Sequence, residues 1–264
     1  MTVRVEFDGA VARVAIDRPT VQNALDAVVV AGLEAAVRCA VNRGCAALVL
    51  SGTGGTLSAG ADLPYLRSLL GDAAALTGYL DSIATVLDLL ESAPLISIAV
   101  VGGYALAGGC EILLACDLAV VADDARIGDR HLEYGLLPGG GGSVRLPRSV
   151  PGPLARRLLY TGEMIDGATA ARWGLVSHAV PAAELDATVD ALAARLARHS
   201  PAALVGMKRL YRDAVSTPAA EALVAERAVL VEHLMAGGAD EGLAAFAEGR
   251  APEFRAAGKG GTHG

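Results

Sequence analysis

The stretch AVVGGYALAGGCEILLACDLAVV, Ala99 to Val121, constrains the fold more than any other part of the chain. Nearly every residue in it is apolar or glycine, yet Glu111 sits in the middle. The uncharged run Ala93 to Cys110 is cut by four glycines before Glu111 ends it. A membrane span wants about 20 apolar residues without such breaks. The stretch therefore predicts core: a buried strand over LISIAVVG (Leu95 to Gly102), a helix from Gly108 to Cys116, and a strand over DLAVVAD (Asp117 to Asp123).

The flanking sequence repeats this logic. Val3 to Ile16 predicts a hairpin turning at Asp8-Gly9, and Asn23 to Cys39 has helical spacing. CAALVLSG (Cys45 to Gly52) is a short apolar strand entering a glycine-rich loop, and Leu66 to Glu91 predicts a helix stopped by Pro94. PGGGGS (Pro138 to Ser143) is a turn, Pro153 to Thr161 and Asp166 to Trp173 are helical, and LVSHAV (Leu175 to Val180) is a strand. From Glu184 onward only helices follow. Strands alternating with helices, then helices alone, predict an α/β core over 1–190, a helical region over 191–256 and a disordered tail over 257–264.

Composition narrows the function. Of 264 residues, 53% are hydrophobic and 19% charged, enough apolar material for one large domain. The net charge of −7 and scattered Lys and Arg argue against a nucleic-acid partner. Cys39, Cys45, Cys110 and Cys116 lack paired metal spacing and read as small buried hydrophobes in a reducing cytosol. The N-terminus alternates like a strand and has no apolar signal region, so the expectation is a soluble cytoplasmic protein without a membrane partner.

An unpartnered glutamate in an apolar segment costs several kcal/mol or shifts its pKa upward. Glu111 can cap the helix that begins near Gly108, join a buried ion pair, or serve as an acid or base. The glycines favour chemistry. Gly108 and Gly109 stand at a helix N-terminus, where free backbone N–H groups stabilise developing negative charge and glycine admits close approach. GTGGTLSAGADL (Gly52 to Leu63) is a second such turn; it has neither the Lys-Ser/Thr ending of a phosphate loop nor the dinucleotide fingerprint.

SAGADL (Ser58 to Leu63), GGYALAGGCEILLACDLAVVADDARIG (Gly102 to Gly128), YGLLPGGGGSVRLPR (Tyr134 to Arg148) and TGEMIDGATAARWGLVSHAV (Thr161 to Val180) together resemble the crotonase, or enoyl-CoA hydratase/isomerase, superfamily. RPTVQNALD (Arg18 to Asp26) and FAEGRAPEFR (Phe246 to Arg255) resemble its terminal motifs, so the likeness runs in order along almost the whole chain. The resemblance implies a crotonase-like α/β spiral of ββα units with a C-terminal helical trimerisation region, assembled as a homotrimer or a dimer of trimers. It implies an acyl-CoA thioester substrate and no cofactor beyond the CoA that the substrate carries.

By the same resemblance, the N–H groups of Ala61 and Gly108 hold the thioester oxygen as an enolate forms. Glu111 takes the place of the family's first catalytic glutamate. His131 stands where a second glutamate is expected: it acts as acid or base, or merely lines the pocket, or a loop shift brings in Asp129 or Glu133 instead. Ala59, Gly60, Leu63, Gly109, Pro138 and Gly139 are implied near the substrate. Asp62 either approaches it or orients and caps its own loop, and Arg67 either meets a CoA phosphate or lies on a solvated helix face. Gly139 to Gly142 is expected to turn against the pocket and Asp117 to pair structurally; Phe246 is expected to pack in the core, and the other reading for it and for Phe254 is packing near a CoA adenine or a neighbouring subunit. The activity this favours is hydration of a 2-enoyl-CoA. Double-bond isomerisation, C–C hydrolysis of a β-diketone and non-catalytic acyl-CoA binding stay as alternatives.

Overall fold

A computed structural model of the protein describes residues 2–254; the tail expected over 257–264 lies outside the described residues. β1 (Val3–Asp8) and β2 (Val11–Ile16) form the expected hairpin, in register Val3↔Ile16 to Asp8↔Val11. Then follow α1 (Ala27–Asn42), β3 (Ala47–Gly52), α2 (Leu63–Ser68), α3 (Ala73–Ser92), β4 (Ile96–Val101), β5 (Tyr104–Leu106), α4 (Gly108–Ala115), β6 (Leu118–Ala122) and β7 (Arg126–Gly128). After a 3-10 turn at His131–Tyr134 come α5 (Gly142–Ser149), α6 (Gly152–Thr161), β8 (Ile165–Asp166), α7 (Gly167–Arg172) and β9 (His178–Val180). The chain finishes in α8 (Leu185–Ala197), α9 (Pro201–Ser216), α10 (Ala219–Met235) and α11 (Asp240–Glu248).

A six-stranded sheet has the order β1-β2-β3-β4-β6-β9, and a three-stranded sheet the order β5-β7-β8. Beyond the hairpin, the large sheet pairs in parallel. β4 runs into β5 and then α4; β6 runs into β7 and then α5. β3 takes the same step in shorter form, its following loop bridging to the small sheet through Ser58↔Ala105 before α2. This is a strand–strand–helix spiral. The main core lies on one face of the large sheet, under α1, α3 and α4; Leu185, Val189 and Ala193 of α8 close the other face over Val49, Ile98 and Val120. The boundary expected at 190/191 falls inside α8.

Several local expectations need correction. α1 begins at Ala27, because Asp26 caps Val29 N–H; Gln22 and Asn23 sit at φ 55° and 56°. Asn23, fully buried, accepts from Arg18 N–H and donates to the carbonyls of Thr53 and Thr56. The helix expected over Leu66 to Glu91 is two helices, broken at Gly71 (φ +95°) and restarted by the Asp72 cap on Ala75. β5, β7 and α5 carry too little periodicity to be foreseen. Cys39 is exposed rather than buried. Phe246 is 87% exposed on α11, not in the core. α3 has the length and hydropathy of a membrane span, and Tyr79, Val86, Leu87 and Leu90 pack one side of it into the core.

Candidate active site

Two glycine turns meet at the N-terminus of α4. Gly60 adopts φ +104°, and a Cβ there would fall 2.8 Å from the Ala107 Cβ and 3.2 Å from Gly108 N. A Cβ on Gly108 would fall 3.4 Å from the Gly60 Cα and 3.7 Å from Ala61 N. The close approach requires glycine at position 60; at position 108 a Cβ would make ordinary contacts across the loops and crowd only Leu25. Ala107 is held at φ 48°, ψ −117°, a rare conformation for a residue with a side chain. Leu25 N–H donates to Gly60 O and Asp62 N–H to Leu25 O, which steps past the amide between them. Among the described residues, neither Ala61 N–H nor Gly108 N–H has an acceptor in the protein. Two neighbouring unused donors, one at a helix N-terminus, suit an oxyanion.

A cavity of about 440 Å³ opens beside them. It is lined by Ala59, Ala61, Asp62, Leu63 and Pro64 from the first glycine turn and its helix, Leu106 and Ala107 ahead of α4, Arg130, His131, Tyr134 and Leu136 from the turn after β7, and Val21, Gln22 and Ala24. A larger groove of about 540 Å³ lies at the C-terminal helices, but its Arg250 is engaged with Glu241 and Glu248, and the glycines that line it, Gly237 and Gly238, already donate to the carbonyls of Leu234 and His233. The smaller cavity, with the unused donors beside it, is the candidate site.

Glu111, 3% exposed, lies in the first turn of α4. Its Oε1 accepts from Gly140 N–H (2.9 Å) and Gly142 N–H (2.8 Å). Its Oε2 has no hydrogen-bond partner among the described residues. Burial raises its pKa; the two glycine amides and His131 pull the other way, and Asp129 adds to the rise. The PGGGGS turn thus holds the carboxylate, a role that sequence reasoning missed: it placed the turn against the pocket without finding what it binds. A side chain at either position would crowd the carboxylates. A Cβ at Gly140 would fall 2.6 Å from Glu111 Oε2, and one at Gly142 would fall 2.9 Å from Asp129 Oδ2 and 3.3 Å from Glu111 Oε1.

His131 begins the 3-10 turn after β7, its side chain 11% exposed at the cavity wall. Its Nδ1 lies 3.0 Å from Asp129 Oδ1. Burial lowers the His131 pKa, but the bond to Asp129 and the charges of Asp129 and Glu111 outweigh it, and the net shift is upward. Of the alternative acids, Asp129 is buried behind the imidazole, and Glu133 turns away to Arg130.

The other expected contacts separate. Ala59, Asp62 and Leu63 line the cavity and Gly60 lies between lining residues. Asp62 also caps α2 through Tyr65 N–H (3.1 Å) and accepts from Arg18 (3.1 Å), which ties the loop to Asp26 as well. Arg67 is exposed on α2 and does not line the cavity. Gly109 packs on Ser58, whose carbonyl a Cβ would meet at 2.1 Å, so it serves packing rather than substrate contact. Pro138 and Gly139 stand outside the cavity, Gly139 against Leu80. Arg130, Tyr134, Leu136 and Gln22 join the site unannounced, because short irregular turns bring them there.

The chain matches the model of the enoyl-CoA hydratase/isomerase family over residues 6–257. It is 34% identical over 260 residues to a probable enoyl-CoA hydratase of Mycobacterium bovis, covering 96% of this chain and 97% of the relative. It is 35% identical over 256 residues to a probable enoyl-CoA hydratase of Rhizobium meliloti, covering 96% and 98%. The crystal structure of an enoyl-CoA hydratase from Polaromonas sp. JS666 superposes with a TM-score of 0.91 at 30% identity, covering 96% of this chain and 99% of that one.

Proposed function

The chain belongs to the enoyl-CoA hydratase/isomerase family, and on that footing we propose that it hydrates a 2-enoyl-CoA to a 3-hydroxyacyl-CoA. The carrying observation is the pair of unused donors, Ala61 N–H and Gly108 N–H, with Ala61 and His131 lining one cavity and buried Glu111 in the helical turn that Gly108 begins. The thioester oxygen sits between the two donors. Glu111 Oε2 removes a proton from water as the water oxygen bonds the β-carbon. The double-bond electrons move onto the thioester oxygen, and protonated His131 gives its Nε2 proton to the α-carbon. Each donor aimed at such an oxyanion is worth about 3 kcal/mol of barrier. The CoA of the substrate is the only cofactor this chemistry requires.

The test is loss of conjugated-enoyl absorbance with crotonyl-CoA and a longer 2-enoyl-CoA. Hydration that disappears in Glu111→Gln supports the assignment; a near-full rate in that variant overturns it. The Asp129–His131 pair also favours a second reading, water-driven C–C cleavage of a β-diketone. His131→Glu separates them: hydration gained only in that variant means the native reaction is different.

Assembly as a homotrimer or dimer of trimers is part of the proposal. It is supported by the exposed apolar surface of α9 to α11, including Tyr211, Met235 and Phe246, and sedimentation velocity tests it. A cytoplasmic setting belongs to the same reading, supported by thiols that form no disulfide among the described residues.

A further inference from the structure

Asp129 has no part in the reaction as written so far, yet it is 3% exposed and ends in a carboxylate. A buried carboxylate needs partners, and this one has an unusual arrangement of them. Its Oδ1 lies 3.0 Å from His131 Nδ1 and accepts His131 N–H at 3.4 Å, so side chain and backbone of the same histidine converge on one oxygen. Its Oδ2 lies close to Gly142, the residue whose amide holds Glu111. The turn is set by Arg130 at φ 57°, a left-handed conformation uncommon for arginine, which swings His131 back over Asp129.

We propose that Asp129 is a positioning residue: its carboxylate keeps the His131 Nδ1 protonated and turned inward, so that Nε2 is the ring nitrogen offered to the cavity. The site then presents one free atom from each reacting side chain, Oε2 of Glu111 and Nε2 of His131. The other atom of each is fixed by the protein, Oε1 by two glycine amides and Nδ1 by Asp129. A neutral His131 so held is a proton acceptor at Nε2; a protonated one is a donor there. The charged groups that face it are Asp129 on its own turn and Glu111 from α4. Arg130 is directed to Gly162 O and Glu133, and Arg145 of α5 to Glu91 and Gly140 O. Neither cation answers the imidazole, so both charges next to it favour its protonated form. The inference rests on the hydration reading only for the proton step that it serves.

Nitrogen-15 NMR of the His131 ring in the full chain tests the arrangement without any variant. Above its titration the ring should carry its proton on Nδ1; a proton on Nε2 overturns the proposal. Asp129→Asn keeps the shape and removes the charge. It should lower kcat with crotonyl-CoA about 10- to 100-fold with KM within about twofold, and move the His131-dependent limb of the pH profile about one unit lower. In a His131→Gln background the same change should cost nothing further, because its effect travels through the imidazole. An undiminished loss in that background, or an unmoved pH limb, overturns the proposal. If the wild type hydrates no 2-enoyl-CoA, the hydration reading fails, and the ring tautomer still decides the role of Asp129. The same holds if Asp129→Asn does not fold.

Discussion

Two carboxylates lie six residues apart at the two ends of α4, Glu111 in its first turn and Asp117 beyond its last. Asp117 Oδ2 accepts from Ser97 N–H (2.7 Å), Ser97 Oγ (2.8 Å) and Lys208 Nζ (2.8 Å). Lys208, 7% exposed, spends its remaining protons on the carbonyls of Leu90 (2.7 Å) and Leu95 (3.0 Å). Every donor in that cluster is matched, and it ties α9 to the sheet. Glu111 is more buried and less satisfied: one oxygen is held by two amides, and the other has no hydrogen bond among the described residues. A charge whose bonds are complete, as at Asp117, is a fastening. A buried one left incomplete, as at Glu111, has something left to bind.

The comparison breaks most readily at Glu111. Glu111→Gln should cut hydration about 1,000-fold while thioester binding stays within a few-fold and the melting temperature does not fall. A variant that melts several degrees lower would make Glu111 a fastening like Asp117. Lys208→Met probes the other end. It leaves two carbonyls and a carboxylate short of a donor, so denaturant titration should show a loss of about 3 kcal/mol. The kcat of the folded enzyme should stay within about twofold of wild type. Unchanged stability there would dissolve the distinction.

Smaller effects sharpen it. Gly140→Ala pushes a methyl against Glu111 Oε2 and within 3.0 Å of Leu87. It should lower kcat about tenfold through misaim, at a stability cost near 1 kcal/mol. The smallest effect is on pH. Glu111 and His131 both hold their protons to higher pH than their ordinary values of 4.5 and 6.5. The folded state therefore binds more protons than the unfolded one, and the stability contributed below those values is lost as pH rises through the folded pKa values. The melting temperature should decline as pH rises past the ordinary histidine value of 6.5, and His131→Gln should flatten that decline.

How far the sequence foretold this follows from the kinds of signal involved. Glu111 stood out because a carboxylate in an apolar run is costly, and the turns at Gly60 and Gly108 because glycines ahead of a helix expose amides. The large sheet was legible as apolar runs. Lys208 gave no sign: a lysine on an amphipathic helix looks solvated, and its partners come from Leu90, Leu95 and Asp117, far away along the chain. Gly140 and Gly142 act through their backbones, which no residue type advertises. The Asp129–His131 bond depends on one left-handed residue, Arg130, in a turn too short for periodicity to describe. Phe246 misled because apolar character alone does not say whether a side chain meets its own chain's core or lies on the surface.

The hold on Glu111 is made entirely of main chain, and this bears on how the protein can change over generations. Every amino acid except proline carries an amide. What confines positions 140 and 142 to glycine is therefore space beside the carboxylate rather than the bond itself. Mutations on the cavity wall, at Val21, Leu63, Tyr134 or Leu136, can reshape the space offered to an acyl group without touching the two amides that aim the base. Choice of substrate and aim of the base are thereby heritable separately, and a lineage can explore new acyl groups while its chemistry stays in place.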